Sequence, residues 1–324
     1  MVRRIALAPL RRLPVGGTGV RLTGFGALAN PYATPGPPRM RLSVVCYADI
    51  LGYGSLTQHA LRNGLADDFL VRLHRALSSA HQRVRQRAED MGEYAPLAIN
   101  VFTDNIVVGY PLSRAPLDNG EPEMSDTLGL FAEFQIGLAM EGFFVRGGVA
   151  YGRHYMDQDV VFGDALLEAV GLDAHGGPPR LVLAQSALHL VKQHFDSAFN
   201  IENSWYYDNL LVDIDGAVFL DYLAQAFMAF PDGGVFLPVV EAHRDSVIAG
   251  LRNYRVEHGV FDKYRWAAGY HNFVCRDFTK RHPISHDPDE DEICGAAAVQ
   301  AQRLLDYVIE GIPDIPFHRV DALG

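Results

Sequence analysis

The stretch Arg41–Gly54, RLSVVCYADILGYG, decides the fold. RLSVVCYAD reads as a buried strand, a short apolar run with a charge at each end. Gly52-Tyr53-Gly54-Ser55-Leu56-Thr57 then reads as a turn, because its two glycines break any periodic pattern. An acidic residue, Asp49, therefore closes an apolar strand directly before a glycine-rich turn.

Working outward, residues 66–90 carry apolar positions at helical spacing with an Arg-rich outer face. LAINVFT, then Asp104-Asn105, then IVVGY predicts a β-hairpin turning at Asp104-Asn105. A second helix is expected over about 125–141, and FFVRGGVAYG is a strand with a glycine pair. DVVFG leads into the helix ALLEAVGLDA, and PPRLVLAQSALHLVKQH gives another strand and helix. The order β-α-β-β-α-β matches a split βαβ, ferredoxin-like arrangement, so the fold class is α/β in the α+β sense. Beyond residue 200, a short strand pair (LLVDIDGAVFLDYL) precedes helices near 235–256, 262–279 and 292–310. With no linker composition near 200, residues 201–324 are expected to pack as an extension on residues 40–200. Residues 1–39, rich in Arg, Gly and Pro, read as a flexible arm or an over-long start.

Composition narrows the function. The chain has 324 residues, 48% hydrophobic and 21% charged, which is enough apolar material for a full core. Its formal charge, 28 − 39 = −11, repels a phosphate backbone over most of the surface, so nucleic acid is not the expected partner. Cys46, Cys275 and Cys294 show no metal-ligand spacing and read as packing residues in a reducing cytoplasm. No apolar run reaches the ~18 residues of a membrane span, so no membrane partner is expected. MVRRIALAPLRRLPVGG carries charges where a signal peptide needs its apolar core.

The chemistry gathers around Asp49 and Asp104. Two converging carboxylates with no partner repel, and one stays protonated. A divalent cation removes that conflict, and oxygen ligands suit Mg²⁺ or Mn²⁺. The turn Leu51-Gly52-Tyr53-Gly54 precedes a helix and can cradle phosphate oxygens on its N–H groups. Arg146, on a later strand, completes the set that phosphoryl transfer needs. Either aspartate alone would read as a helix cap or turn former; both, with the glycine turn, favour the metal.

Tyr47-Ala48-Asp49-Ile50-Leu51-Gly52-Tyr53 resembles the F-x-D-I-x-G-F signature of class III nucleotidyl cyclases. Phe102-Thr103-Asp104 resembles their second metal motif, in which a Gly usually precedes the Asp. Arg146 to Gly152 resembles their R-x-G-x-x-x-G strand, and Val161-Phe162-Gly163 their V-W/Y-G. The resemblance implies the class III catalytic fold over residues 40–200, working as a homodimer with active sites at the interface. It implies that Asp49, Asp104 and the carbonyl of Ile50 hold two Mn²⁺ or Mg²⁺ ions. The triphosphate would lie on Leu51–Gly54 and Arg146, and attack of the ribose 3′-hydroxyl would expel pyrophosphate.

The departures bear on the base. Where purine-specific members carry a Lys or Glu, six residues before the second Asp, this chain has Ala98, and their base-reading Asp or Cys falls at Val160. Their transition-state Asn and Arg fall at Leu167 and Gly171. Apolar groups there would leave a purine edge unpaired. FGDALLEAVGLDA, PPRLVLAQSAL and DKYRWAAGYHNF resemble the bacterial pyrimidine cyclases of antiphage defence, the Pycsar systems, although Asp164 and Val170 depart from their usual helix pattern. That family implies UTP, less readily CTP, as substrate, and a separate effector activated by the cyclic product.

For the base pocket the candidates are Tyr47, Tyr53 and Asn100; both tyrosines would serve equally well in packing. Lys263 and Arg265 rank lower as phosphate contacts. The alternatives are an adenylate or guanylate cyclase, and a cyclase-like module that binds nucleotide without turnover. Asp213-Ile214-Asp215-Gly216 looks like a haloacid-dehalogenase loop, but no Thr follows and a hairpin explains it equally well. His282 and His286 are separated by Pro283, which breaks the helix that a zinc pair would need.

Overall fold

Strand β1 (Arg41–Ile50) sends alternate side chains to opposite faces of a sheet. Val44, Cys46, Ala48 and Ile50 enter the larger core, while Val45 and Tyr47 join a smaller cluster on the other face. The computed structural model describes residues 30–33, 35–91, 97–112, 120–173, 177–197, 204–228, 236–282 and 292–320.

β1 pairs antiparallel on one side with β3 (Asn105–Pro111) and on the other with β4 (Val145–Met156). β2 (Ala98–Phe102) pairs with β3 alone, giving the order β2-β3-β1-β4 of a split βαβ sheet. The strand that ends before Asp104 is therefore not the neighbour of β1; β3, which follows Asp104, lies between them. The hairpin turns at Thr103-Asp104, one residue earlier than the sequence suggests, and Asn105 already belongs to β3.

Helices α2 (Ala66–Met91) and α3 (Glu121–Ala139) pack on each other over the larger core. Before them comes α1 (Tyr53–Arg62), where the sequence reads only a turn. Its N-cap is Gly52 at φ 72°, so the polar capping residue that normally announces a helix is missing. On the smaller face, β5 (Val161–Gly163) leads into α4 (Asp164–Asp173), whose Ala165 and Ala169 pack with Val45. From the stretch 1–39, Asn30 donates to the Met156 carbonyl at 3.0 Å, and buried Tyr32 donates to Ser43 Oγ at 2.8 Å. Residues 1–29 lie outside the described residues.

β6 (Leu181–Leu183) runs parallel to β4 and is followed by α5 (Gln185–Ser197) and α6 (Trp205–Asn209). β7 (Leu210–Val212), β8 (Val218–Leu220) and β9 (His318–Arg319) then continue the same sheet, β8 pairing with β6 through Val182 and Phe219. The extension is thus hydrogen-bonded into the sheet. Asp213 and Asp215 grip the buried guanidinium of Arg180, and Trp266 Nε1 donates to Asp213 at 2.8 Å. That clamp is what the DID sequence builds in place of a nucleophile loop. After α7 (Ala224–Met228), helices α8 (Leu237–Asn253), α9 (His258–Arg281) and α10 (Glu292–Arg303) follow. Cys46 and Cys275 are buried, and burial pushes both thiols up, Cys275 to about 12. The side chain of Cys294 and the residues 283–291, with His286 and the acidic stretch DPDED, lie outside the described residues.

Candidate active site

One row of the sheet carries the site. Phe102 on β2 faces Asn105 on β3, Asn105 faces Asp49 on β1, and Asp49 faces Arg146 on β4. Asp49 and Arg146 form a half-buried ion pair, with Nε 3.3 Å from Oδ1. The next row on this face is Asn100, Val107, Tyr47 and Gly148. The register thus brings Asp49, Arg146, Asn105, Tyr47 and Asn100 onto adjoining rows.

Asp104 enters from the hairpin turn. The Ile50 N–H donates to the Asp104 carbonyl at 3.2 Å, which ties the turn to the end of β1. Thr103 takes φ 51°, the single positive φ of a non-glycine among the described residues. A β-branched residue there is strained, and this is the position where the resembling family usually has Gly. The Thr103 hydroxyl donates to Asp104 Oδ1 at 2.7 Å, a local bond that offsets some of that strain.

The carboxylates of Asp49 and Asp104 and the Ile50 carbonyl are all oxygen donors, the type that suits hard divalent cations, and the Ile50 N–H bond to the Asp104 carbonyl brings their backbones together. Arg146 against Asp49 fits too, since this end of the sheet already places a positive charge beside that carboxylate. Among the described residues no group of three or more His, Cys, Asp or Glu side chains gathers for a metal, so a backbone oxygen would have to contribute.

The glycines of the Arg146 strand are required by contact. A Cβ on Gly147, at φ 156°, would lie 2.0 Å from the Tyr47 carbonyl oxygen. One on Gly148 would meet the Ala169 carbonyl at 2.6 Å, so α4 can approach β4 only across that glycine. Leu51 donates its N–H to the Phe144 carbonyl at 2.8 Å, and Gly52 reverses the chain so that α1 starts at Tyr53.

The base candidates separate. Tyr47 packs on the smaller cluster and donates to Asn105 Oδ1 at 2.7 Å. Tyr53 packs against the larger core, because the first turn of α1 directs it there. The two rings thus pack against different clusters. Asn105 is a site residue that the sequence reading misses: a turn placed one residue late makes it a turn former, although the hairpin implies its position opposite Asp49. Ala98 packs on the smaller cluster beside Tyr47, while Val160 and Leu167 are exposed. A Cβ on Gly171 would meet nothing within 4 Å, so this face of α4 offers no polar group there. Arg265 pairs with Asp262 at 3.6 Å on the surface of α9. Lys263 lines a small cleft together with Leu51, Gly52 and Ser55.

No protein-family model matches the sequence, and no curated protein matches it. Among solved structures, the chain is similar to the adenylyl cyclase CyaB from P. aeruginosa, with 14% identity and TM-score 0.36, over 48% of this chain and 82% of that one. It is also similar to a class III adenylyl cyclase-like ATP-binding protein from Pseudomonas aeruginosa, with 14% identity and TM-score 0.36, over 47% of this chain and 35% of that one. A bacterial light-regulated adenylyl cyclase gives 12% identity and TM-score 0.38, over 58% of this chain and 54% of that one. The chain thus spans about a third to a half of the length of the latter two. Likenesses this partial leave the functional reading to rest on the chain's own residues.

Proposed function

We propose that this protein is a nucleotidyl cyclase that closes a pyrimidine nucleoside triphosphate, UTP ahead of CTP, to its 3′,5′-cyclic monophosphate and pyrophosphate. The observation that carries the reading is the meeting of Asp49, Asp104 and Arg146 at the end of β1, directly before the glycine turn.

Asp49, Asp104 and the Ile50 carbonyl would hold two Mn²⁺ or Mg²⁺ ions. Such ions supply the charge that acidifies a ribose hydroxyl and neutralises a triphosphate. The backbone of Gly52–Gly54 would hold phosphate oxygens, with Leu51, whose N–H is given to the Phe144 carbonyl, anchoring the turn. Arg146 would turn from Asp49 to the triphosphate, its planar donors suited to that anion. Tyr47 and Asn100, on one row of the sheet, would read the base; packed Ala98 offers a purine edge nothing to bond.

A homodimer would cover exposed apolar side chains, Phe102 in the row of the site and Phe162 and Leu167 on β5 and α4, Leu167 at 75%. Resemblance to the Pycsar cyclases supports a role in antiphage defence, the cyclic nucleotide switching on a separate effector in the cytoplasm. No helix among the described residues is long and apolar enough to cross a membrane.

A second reading, a module that binds nucleotide without turnover, is favoured by Leu167 and Gly171, which supply no transition-state donor. Incubation of purified protein with all four ribonucleoside triphosphates and Mn²⁺, products resolved by mass spectrometry, separates the readings. Cyclic UMP or cyclic CMP is expected. Cyclic AMP or GMP would overturn the base assignment, and binding with no product would favour the module.

A further inference from the structure

The glycine turn is held from behind by residues outside the row of acids and arginine. Leu51 donates to the carbonyl of Phe144, and the Phe144 ring is buried between two rings of the extension. His243 of α8 meets it edge-on at 5.6 Å, and Tyr264 of α9 does so at 5.5 Å. Tyr264 stacks on Tyr254 at 5.5 Å with the planes 8° apart, and Tyr254 reaches His59 of α1 at 6.2 Å. A chain of aromatic contacts thus runs from the residue that anchors the start of the turn, through α8 and α9, to the helix at its end. Room for it is built in: a Cβ on Gly250 of α8 would lie 2.1 Å from the Tyr264 ring. The cleft lined by Leu51, Gly52 and Ser55 has Tyr254, Lys263 and Tyr264 as its other wall.

We propose that α8 and α9 position the 51–54 turn for its phosphate ligand, with Tyr264 and Tyr254 as the positioning residues. The extension is then a working part of the site. Packed rings at both ends hold the turn's N–H groups in their bound arrangement, so that the ligand need not order them. This inference rests on the cyclase reading for the identity of the ligand, but not for the position of the turn.

The test uses the full chain with Tyr264→Ala, Tyr264→Phe and Tyr254→Ala, the last serving if loss of the more buried ring prevents folding. Tyr264→Ala should raise KM for the triphosphate about tenfold with kcat changed less than about twofold, as for a lost binding contribution. Tyr264→Phe, which keeps the ring, should restore KM. Hydrogen exchange supplies a readout independent of turnover. The Leu51 amide should exchange faster in Tyr264→Ala, while amides of the β1–β3 ladder keep their protection. Unchanged Leu51 exchange with unchanged KM would overturn the proposal, as would loss of protection spread equally through the sheet. If the wild type makes no cyclic product from any triphosphate, the cyclase reading fails, and the Leu51 amide still decides whether the extension holds the turn.

Discussion

Asp49 and Arg146 stand directly opposite each other across the β1–β4 ladder, with Nε 3.3 Å from Oδ1. The pair ties the Asp-Ile-Leu-Gly segment to the glycine-rich strand and puts a cation beside the carboxylate that, in the proposed reaction, would also hold a metal ion. Arg146→Ala should mainly weaken triphosphate binding, raising KM roughly ten- to a hundredfold with a smaller loss in kcat, because a charge-assisted phosphate contact acts before and during reaction. Steady-state kinetics check this, and an unchanged KM with unchanged kcat would remove Arg146 from the site.

Gly147 and Gly171 should respond oppositely to alanine. At Gly147 the new Cβ would strike the Tyr47 carbonyl oxygen at 2.0 Å and Ala48 Cα at 2.8 Å, and both of these are backbone atoms. A loss of about 4 kcal/mol or more is expected, in the range of severe core strain. At Gly171, exposed on α4 with open space around it, Ala should gain about 0.5–1 kcal/mol. Urea unfolding of the two variants makes the comparison.

Thr103→Gly should stabilise the hairpin by about 1 kcal/mol, because φ 51° costs a β-branched residue energy that it does not cost glycine. The lost hydroxyl bond to Asp104 Oδ1 offsets part of that gain. Thermal melting shows the sign, and a lower melting temperature would mean that the hydroxyl bond outweighs the strain.

Acid should weaken the fold through buried neutral histidines. Burial pushes His81, His154 and His271 down from 6.5 to about 4. Between those values the unfolded chain binds more protons than the folded one, so stability is full above about 6.5 and is lost as pH falls towards 4. The urea midpoint should therefore drop between pH 7 and pH 5. His81→Phe, which keeps the stacking on Phe134, should flatten that drop.

If the proposed homodimer buries Leu167, Leu167→Asp should leave the protein monomeric with little effect on the folded protomer, since Leu167 is exposed. Sedimentation velocity reads the outcome, and a dimer that survives the substitution would move the interface elsewhere.

Much of the site is legible in the sequence because its signals are local. Asp49 ends an apolar run, and Gly52 and Gly54 follow at once, so strand, acid and turn read off one segment. The β4 glycines announce close approach, and the structure supplies the partners, the Tyr47 carbonyl and the backbone of α4. What the sequence hides depends on left-handed backbone or on contacts distant along the chain. α1 reads as a turn because its cap is a left-handed glycine. With the start of that helix hidden, so is the cluster that its first side chain, Tyr53, packs against. Asn105 is hidden by a one-residue error in the hairpin, enough to exchange turn for strand. The role of Asp213 and Asp215 is set by Arg180, more than thirty positions away, and no local pattern discloses such a clamp.

The most direct test of the central claim is turnover of UTP with Mn²⁺ by the wild type, Asp49→Asn and Asp104→Asn, followed by mass spectrometry of the cyclic product. Wild-type protein should form cyclic UMP, and each substitution, which keeps the shape but removes the charge, should cut the rate at least about a thousandfold. If either variant keeps wild-type turnover, Asp49 and Asp104 are not the paired metal-binding acids of a cyclase.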